Sequence, residues 1–335
     1  MGQNDPGRRQ LQLGENTVES FMSAKASGAS YIEFDVQLTK DDVPIIYHDF
    51  LMSETGIDAP LHSLNLEQFM FISQAQSAEG DPSSKAERNY LERNGNSPIF
   101  AGYRQRSHSL DIHEQAKARG LIERMQHTFE YKLNENKGFD SYKGNIRSEY
   151  IQASFATLET LLTKLPDSIE FDIEIKYPML FEAHDWEMET FGVEINHLVN
   201  NVLDRVYRLA QNRTIFFSSF SPEVCILLAR KQYVYPVYFL TESGHIPSSD
   251  ARADSLREAV WFAKSWRLAG VISRLQPLVV SPRRLIGRVQ DAGLVCISWG
   301  ELNDGPDDAV RQAEAGLDAI ITNSVRLIAQ TLKKG

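Results

Sequence analysis

Short apolar runs alternate along the chain with segments whose apolar residues recur at helical spacing. The runs are rich in β-branched and aromatic residues, which favour strands. Strands that alternate with helices are typical of βα units around a parallel sheet. The predicted strands are residues 31–37, 44–50, 169–176, 213–220, 234–241, 270–273, 294–299 and 319–323. This number suits a TIM-type (β/α)8 barrel in an α/β fold, although the run at 270–273 is short enough to be a loop.

A segment of different character, residues 73–153, separates the second predicted strand from the third. It is rich in Ser, Asn, Gln, Arg and Glu and has little apolar periodicity. Long segments without regular structure inside a compact domain are usually functional or disordered. We therefore expect a single domain over residues 1–335 with an insertion at 73–153, which we interpret as a partly ordered lid or docking surface.

The first helix has recognisable signals at both ends. Asn16 is a suitable N-cap, Glu19 follows three residues later as in a capping box, and Gly28 can end the helix. Glu15 precedes the cap, where a carboxylate can either interact with the helix dipole or support a nearby site. Its position alone favours the dipole role.

Two predicted strands carry carboxylates at alternate positions. In IEFDV, Glu33 and Asp35 project from one face of the strand, and in SIEFDIEIK the same holds for Asp172, Glu174 and Lys176. Carboxylates inside a barrel are costly unless a cation pairs with them, and Mg²⁺ or Ca²⁺ prefers oxygen ligands. For either strand alone, an internal carboxylate–lysine ion pair explains the pattern equally well.

A third element, VPIIYHD, is an apolar strand that ends in His48 and Asp49. A histidine at the carboxyl end of a barrel strand can exchange protons near neutral pH, as a leaving alkoxide requires. A lone histidine after an apolar run is more often merely packed or solvated, but the nearby carboxylate strand favours a catalytic role for His48.

Composition excludes several classes of function. With 45 acidic and 35 basic residues, the formal net charge of -10 disfavours binding to nucleic acid or to an anionic membrane surface. The sequence has no P-loop, GxGxxG or GxSxG motif, and no apolar stretch of membrane-spanning length. The two cysteines, Cys225 and Cys296, show no metal-site spacing. We expect a soluble, cytoplasmic protein without stable membrane insertion.

The chain resembles the glycerophosphodiester phosphodiesterase family. The resemblance is densest in GENTVESFMSAKASGASYIEFDVQLTKDDVPIIYHD and continues through FATLETLL, IEIK, FFSSFSPE, ISWG and GLDAIITN. It implies a TIM-type barrel of the PLC-like phosphodiesterase kind, a hydrolase of phospholipid metabolism and a divalent cation, Mg²⁺ or Ca²⁺. The resemblance is strongest to fungal glycerophosphocholine phosphodiesterases, whose longer chains carry N-terminal SPX and ankyrin regions.

The resemblance also implies roles for individual residues. Glu33, Asp35 and Glu174 would bind the metal, His48 would be one of two catalytic histidines, and Glu15 would support catalysis. Two further residues would bind substrate: Lys176 at the phosphate, and Trp299 in the wall of the substrate pocket. The small-molecule substrate would be a glycerophosphodiester, with glycerophosphocholine cleaved to glycerol 3-phosphate and choline.

The sequence departs from the family pattern at its start. Family members carry a first barrel strand ending in H-R-G shortly before ENT, which supplies the other histidine and a phosphate-binding arginine, whereas this chain opens MGQNDPGRRQ. We therefore expect a barrel without its first strand, in which residues 270–273 form an accessory segment. Two alternatives remain open: an impaired barrel that binds metal and diester without turnover, and a phospholipid-cleaving enzyme.

Overall fold

A computed structural model of the chain describes residues 12–52, 59–70, 150–151, 154–179, 192–246, 248 and 250–333. The predicted insertion at 73–153 lies outside these residues, apart from the short strand Tyr150–Ile151. That strand pairs in parallel with Gln12–Leu13, just before the first helix. No helix in the described part of the chain is long and apolar enough to cross a membrane.

The described residues form strands and helices in alternation. The strands are β1 (Gln12–Leu13), β2 (Tyr31–Leu38), β3 (Pro44–Ile46), β4 (Leu51–Met52), β5 (Ala59–Pro60), β6 (Tyr150–Ile151), β7 (Ala156–Thr157), β8 (Glu170–Ile175), β9 (Ile215–Ser219), β10 (Val237–Thr241), β11 (Gly270–Arg274), β12 (Val295–Trp299) and β13 (Ala319–Ile320). The α-helices are α1 (Val18–Ser27), α2 (Leu158–Lys164), α3 (Ile195–Leu209), α4 (Pro222–Lys231), α5 (Leu256–Ser265), α6 (Leu275–Val279), α7 (Pro282–Asp291), α8 (Pro306–Glu314) and α9 (Val325–Leu332). Short 3₁₀ helices span Leu61–Ser63 and Glu301–Asp304.

The main sheet has the order β13-β12-β11-β10-β9-β8-β2-β3-β7. The strands from β13 to β2 are parallel, with helices in the connections, as the α/β barrel prediction requires. At the other end of the order, β3 pairs antiparallel with both β2 and β7. Hydrogen bonds do not close this sheet within the described residues.

Two strand predictions need correction. Residues 270–273 are not an accessory segment, because β11 pairs in parallel with β10 on one side and β12 on the other. Of the predicted strand 44–50, only Pro44–Ile46 is a strand, and it extends β2 as a hairpin rather than adding a parallel barrel strand. The tight turn between β2 and β3 allows only the antiparallel pairing.

The two faces of the sheet bury different side chains. On one face, residues such as Phe34, Val36 and Ile173 pack against the helices in a large hydrophobic core that includes both cysteines. The other face points into the barrel. There, β9 to β12 contribute an apolar layer of Phe216, Leu240, Ile272 and Ile297. Because strand side chains alternate, β2 and β8 place their carboxylates on this interior face.

The start of α1 differs by one residue from the prediction. Its N-cap is Thr17, whose hydroxyl accepts from the backbone N–H of Ser20, and Ser20 completes the capping box in place of Glu19. Asn16 adopts φ of 56°, and its amide donates to Asp35 on β2. Gly28 ends the helix as predicted, with φ of 107°.

Candidate active site

Three carboxylates meet at the interior face of β2 and β8. Asp35 lies opposite Glu174 in the parallel register, and Glu33 is one interior position earlier on β2. One oxygen from each of Glu33, Asp35 and Glu174 lies within 4.8 Å of the other two. The alternation of each strand selects the interior residues, and the pairing of the two strands brings them together.

The electrostatics of this cluster favour a bound cation. Burial raises the pKa of Glu33 well above its usual value, and the charges of Asp35 and Glu174 raise it further. Asp35 is 5% exposed. Its Oδ2 accepts a 3.0 Å hydrogen bond from the Asn16 amide, while Oδ1 accepts none from the described residues. Converging carboxylate oxygens, among which Asp35 Oδ1 can accept a further partner, suit a hard divalent ion such as Mg²⁺ or Ca²⁺.

Asp172 is a fourth buried acid on the same face of β8. Its Oδ1 accepts a 2.6 Å hydrogen bond from the Ser218 hydroxyl on β9. Burial raises the pKa of Asp172, which outweighs the lowering effect of the Ser218 bond. Asp172 pairs in register with Glu33 and adds to the negative charge beneath the cluster.

Lys176 follows β8 and holds a positive charge beside the carboxylates. Its Nζ lies 3.4 Å from Glu174 Oε1 and 4.0 Å from Asp35 Oδ1. The rings of Phe50 and Phe220 flank the ammonium at 5.3 and 6.0 Å from their centroids. A cleft opens beside it and is lined in part by His62. Lys176 is thus placed to meet an anion at the cluster.

His48 lies two residues beyond β3, at the same end of the barrel. Its Nδ1 is 2.8 Å from Asp49 Oδ1, and 35% of its side chain is exposed. Burial and the Lys176 charge lower the pKa of His48, but Asp35 and the hydrogen bond with Asp49 outweigh them, so that its pKa is raised. The bond at Nδ1 leaves Nε2 as the nitrogen that can exchange a proton with a ligand.

An aromatic wall continues from Lys176 across the barrel end. Phe220 contacts Trp299 edge to face, with ring centroids 5.3 Å apart. The indole N–H of Trp299 donates to the Thr241 carbonyl at 3.2 Å, and the Arg274 guanidinium lies over its ring at 5.1 Å. Glu242 in turn accepts from Arg274 at 3.2 Å. These contacts fix the orientation of Trp299.

The structure brings together most of the residues that the sequence singled out. Glu33, Asp35, Glu174 and Lys176 form one cluster, and the Asp35 charge reaches His48. Glu15 is exposed, yet its charge still acts on Glu33. Trp299 belongs to the adjoining aromatic wall.

Several contributors have no local signal in the sequence. Glu242 and Arg274 meet across 32 residues, and Asn16, expected only as a helix cap, binds Asp35 19 residues away. Gln37 shares the interior face of β2 with Asp35, so period-two alternation could have indicated it. Nothing in the alternation reveals what its amide contacts.

Comparison with known proteins places these features in context. The sequence profile described as the Glycerophosphoryl diester phosphodiesterase family matches residues 5–327. The chain is 43% identical over its whole length to Glycerophosphocholine phosphodiesterase GDE1 of Candida albicans, of which it covers 28%. It is 38% identical to the Schizosaccharomyces pombe protein of the same description, again covering 28%. The chain therefore spans about a quarter of the length of these relatives.

Solved structures show the same fold. The chain aligns with a glycerophosphoryl diester phosphodiesterase from Silicibacter pomeroyi at a TM-score of 0.60 and 19% identity, covering 96% of this chain and 90% of that one. It also aligns with an Oleispira antarctica phosphodiesterase in complex with its product sn-glycerol-3-phosphate, at a TM-score of 0.59 and 15% identity, covering 96% and 92%. At these identities the likeness concerns the barrel fold.

Proposed function

Because the chain belongs to the glycerophosphoryl diester phosphodiesterase family, we propose that it hydrolyses glycerophosphodiesters with the help of a divalent cation. We take glycerophosphocholine as the substrate, with glycerol 3-phosphate and choline as products. The observation that carries the proposal is the carboxylate cluster with Lys176 at its edge and His48 within its electrostatic field. The names of the fungal relatives support the choice of substrate.

Glu33, Asp35 and Glu174 would hold the cation, because their oxygens converge and their mutual repulsion needs a positive charge. Such an ion supplies charge neutralisation at the phosphate and polarises its oxygens. Whether the ion is Mg²⁺ or Ca²⁺ depends on ligand number and flexibility. Asn16 donates to Asp35 Oδ2 and would orient that carboxylate, leaving Oδ1 for the cation.

His48 would move a proton during cleavage. Asp49 binds Nδ1 and fixes the imidazole, so Nε2 can give its proton to the choline oxygen as the phosphorus–oxygen bond breaks. Water supplies the new oxygen on phosphorus; one of its protons replaces the proton that His48 gives to the choline oxygen, and the other stays on the phosphate or passes to solvent. Glu15 would act only through the charge that it presents to Glu33.

Lys176 and Trp299, which both contact Phe220, would bind the substrate. The Lys176 ammonium lies 3.4 Å from Glu174, at the edge of the proposed cation site, and would contact an oxygen of a phosphate bound there. Trp299 would line the pocket for the organic part of the diester, with its ring held by Thr241 and Arg274. The same set of residues thus provides a charged end and an apolar end.

The chain spans about a quarter of its fungal relatives, so the setting of the domain is also a proposal. We propose that the parent protein is cytoplasmic and carries further regions of the SPX and ankyrin type. The net charge of -10 supports a water-soluble diester rather than a membrane lipid as substrate.

The direct test is release of choline from glycerophosphocholine, with added Mg²⁺ or Ca²⁺ and with EDTA. We expect metal-dependent turnover that falls by ~10²- to 10⁴-fold in His48→Ala, the usual size of a general acid–base contribution. His245→Ala is the matched control, since His245 lies in the loop after β10 and has no place in the proposed chemistry. Metal-dependent binding of glycerophosphocholine without choline release would refute hydrolysis and indicate a binding protein.

A further inference from the structure

Gln37 occupies the interior position of β2 that follows Asp35. Its side-chain amide Nε2 lies 2.8 Å from the Tyr47 carbonyl oxygen, 2.8 Å from that of Asp49 and 3.3 Å from that of His48. Gln37 is only 7% exposed. One amide therefore binds the main chain on both sides of the histidine as well as at the histidine itself.

These contacts replace a strand ladder that has just ended. β3 stops at Ile46, and the backbone N–H of Tyr47 still donates to the Asp35 carbonyl at 3.1 Å. From that point the main chain leaves the sheet. The two hydrogens of the Gln37 amide can serve the two short contacts, while the third, longer contact shares one of them.

We infer that Gln37 is a positioning residue, which fixes the main chain of 47–49 and thereby sets His48 relative to the carboxylates. The inference rests on the proposed function. Asp35 and Gln37 are two residues apart on one strand, so their Cα atoms are separated by a fixed distance of roughly 7 Å. A single rigid strand thus carries a proposed metal ligand and the anchor of the proposed acid.

Two hydrogen bonds hold the histidine from different sides. Asp49 Oδ1 fixes the imidazole through Nδ1, but Asp49 itself is held at its carbonyl by Gln37. Losing the amide would therefore release His48 and its orienting acid together. Displacement of a reacting group by about 1 Å can cost on the order of 10²-fold in rate.

Gln232 offers a matched control within the same chain. It is 4% exposed, its amide nitrogen donates to the Tyr235 carbonyl at 2.8 Å, and its oxygen accepts from the Val234 and Tyr235 N–H groups. It lies before β10, at the opposite end of the strands from Lys176. A glutamine that is important only for stability should behave like Gln232.

The test compares Gln37→Met with Gln232→Met, because methionine keeps the length of the side chain and removes its hydrogen bonds. Choline release with Mg²⁺ gives kcat and KM, and urea unfolding gives stability. We expect Gln37→Met to lower kcat by ~10- to 100-fold with KM changed less than about threefold. Gln232→Met should lose stability but change kcat by less than about twofold, as expected for a site remote from the chemistry.

A double-mutant cycle shows whether the effect passes through His48. In a His48→Ala background, Gln37→Met should reduce the residual kcat by less than about twofold, because residues acting as a unit are not additive. Multiplicative effects, or a kcat for Gln37→Met equal to wild type, would overturn the inference. Gln37→Leu, which is uncharged and also lacks the donor, serves if the methionine variant does not fold. Wild-type protein without choline release would instead overturn the proposed function, and this inference with it.

Discussion

Replacing Asp35 by asparagine removes one negative charge from the carboxylate cluster and leaves its shape nearly unchanged. With partners within 4.8 Å and an effective dielectric constant near 20, each of the two carboxylate repulsions is worth at least about 3.5 kcal/mol. The attraction between Asp35 and Lys176 at 4.0 Å offsets about 4 kcal/mol of this. The net repulsion carried by Asp35 without a metal is therefore about 3 kcal/mol.

The raised pKa of Glu33 reduces the net repulsion carried by Asp35, because protonation of Glu33 already relieves part of it. We therefore expect Asp35→Asn to be more stable than wild type in EDTA, by ~1 to 3 kcal/mol. With a divalent cation the order should reverse. Wild type gains about 4.1 kcal/mol when the free ion reaches 1,000 times its Kd, which exceeds the advantage of the variant in EDTA, whereas the variant, lacking one ligand, gains less.

The assay is urea unfolding of both proteins in EDTA and in increasing Mg²⁺ or Ca²⁺, with choline release measured in parallel. Asp318→Asn is the control, since Asp318 accepts a 2.8 Å hydrogen bond from the Cys296 N–H and lies outside the cluster. It should lose stability equally with and without metal. The assignment of Asp35 as a ligand is refuted if Asp35→Asn loses stability equally with and without metal, as the control should. It is also refuted if the cation stabilises Asp35→Asn as much as wild type.

Two further predictions concern the same site. Lys176→Met should raise KM for glycerophosphocholine by ~10-fold or more in steady-state assays, because a charge-assisted bond to phosphate is worth about 1.5 to 3 kcal/mol. An unchanged KM would contradict a contact between Lys176 and the phosphate. In EDTA the stability of wild type should fall as the pH rises. The fall should begin at the pKa of glutamate in the unfolded chain, about 4.3, and end at the raised pKa of Glu33, because in this range the native state holds a proton that the unfolded chain has released. Urea unfolding across this pH range measures the fall, which a saturating divalent cation should abolish.

The carboxylate cluster could be predicted because its causes are local and repetitive. Alternation along a strand places Glu33 and Asp35 on one face, and the same rule selects Glu174. Parallel pairing of β2 with β8 then requires only that the two strands be neighbours. Two short-range rules thus account for the convergence of three side chains that lie up to 141 positions apart in the chain.

The strand at Gly270 shows why other features could not be predicted. β11 has five residues, and its place in the sheet depends on β10 and β12 on its two sides. A Cβ at Gly270 would lie 2.2 Å from the Val295 carbonyl oxygen and 2.8 Å from the Tyr238 ring. The run was expected to be an accessory segment because it is short, but its glycine is what lets the neighbouring strand approach.

Asn16 is a polar residue whose contacts likewise could not be predicted from the local sequence. Its type suits an N-cap, but Thr17 takes that role, and the Asn16 amide binds Asp35 19 residues away. The positive φ of Asn16 turns its side chain toward the barrel, a conformation that asparagine adopts more readily than most residues. A local rule identified a residue important at this turn and gave it the wrong partner.

The barrel interior is divided between charge and hydrocarbon, and this division links stability to the proposed chemistry. β2 and β8 place acids inside, while β9 to β12 fill the opposite side with Phe216, Leu240, Ile272 and Ile297. Apolar surroundings make unpaired carboxylates expensive and also strengthen the field of any cation that they bind. Without an ion, the apolar layer thus makes the carboxylate cluster more costly. With an ion bound, the same layer increases the stabilisation available to a charged phosphate. Gln37, on the strand that carries Glu33 and Asp35, would place His48 within that field.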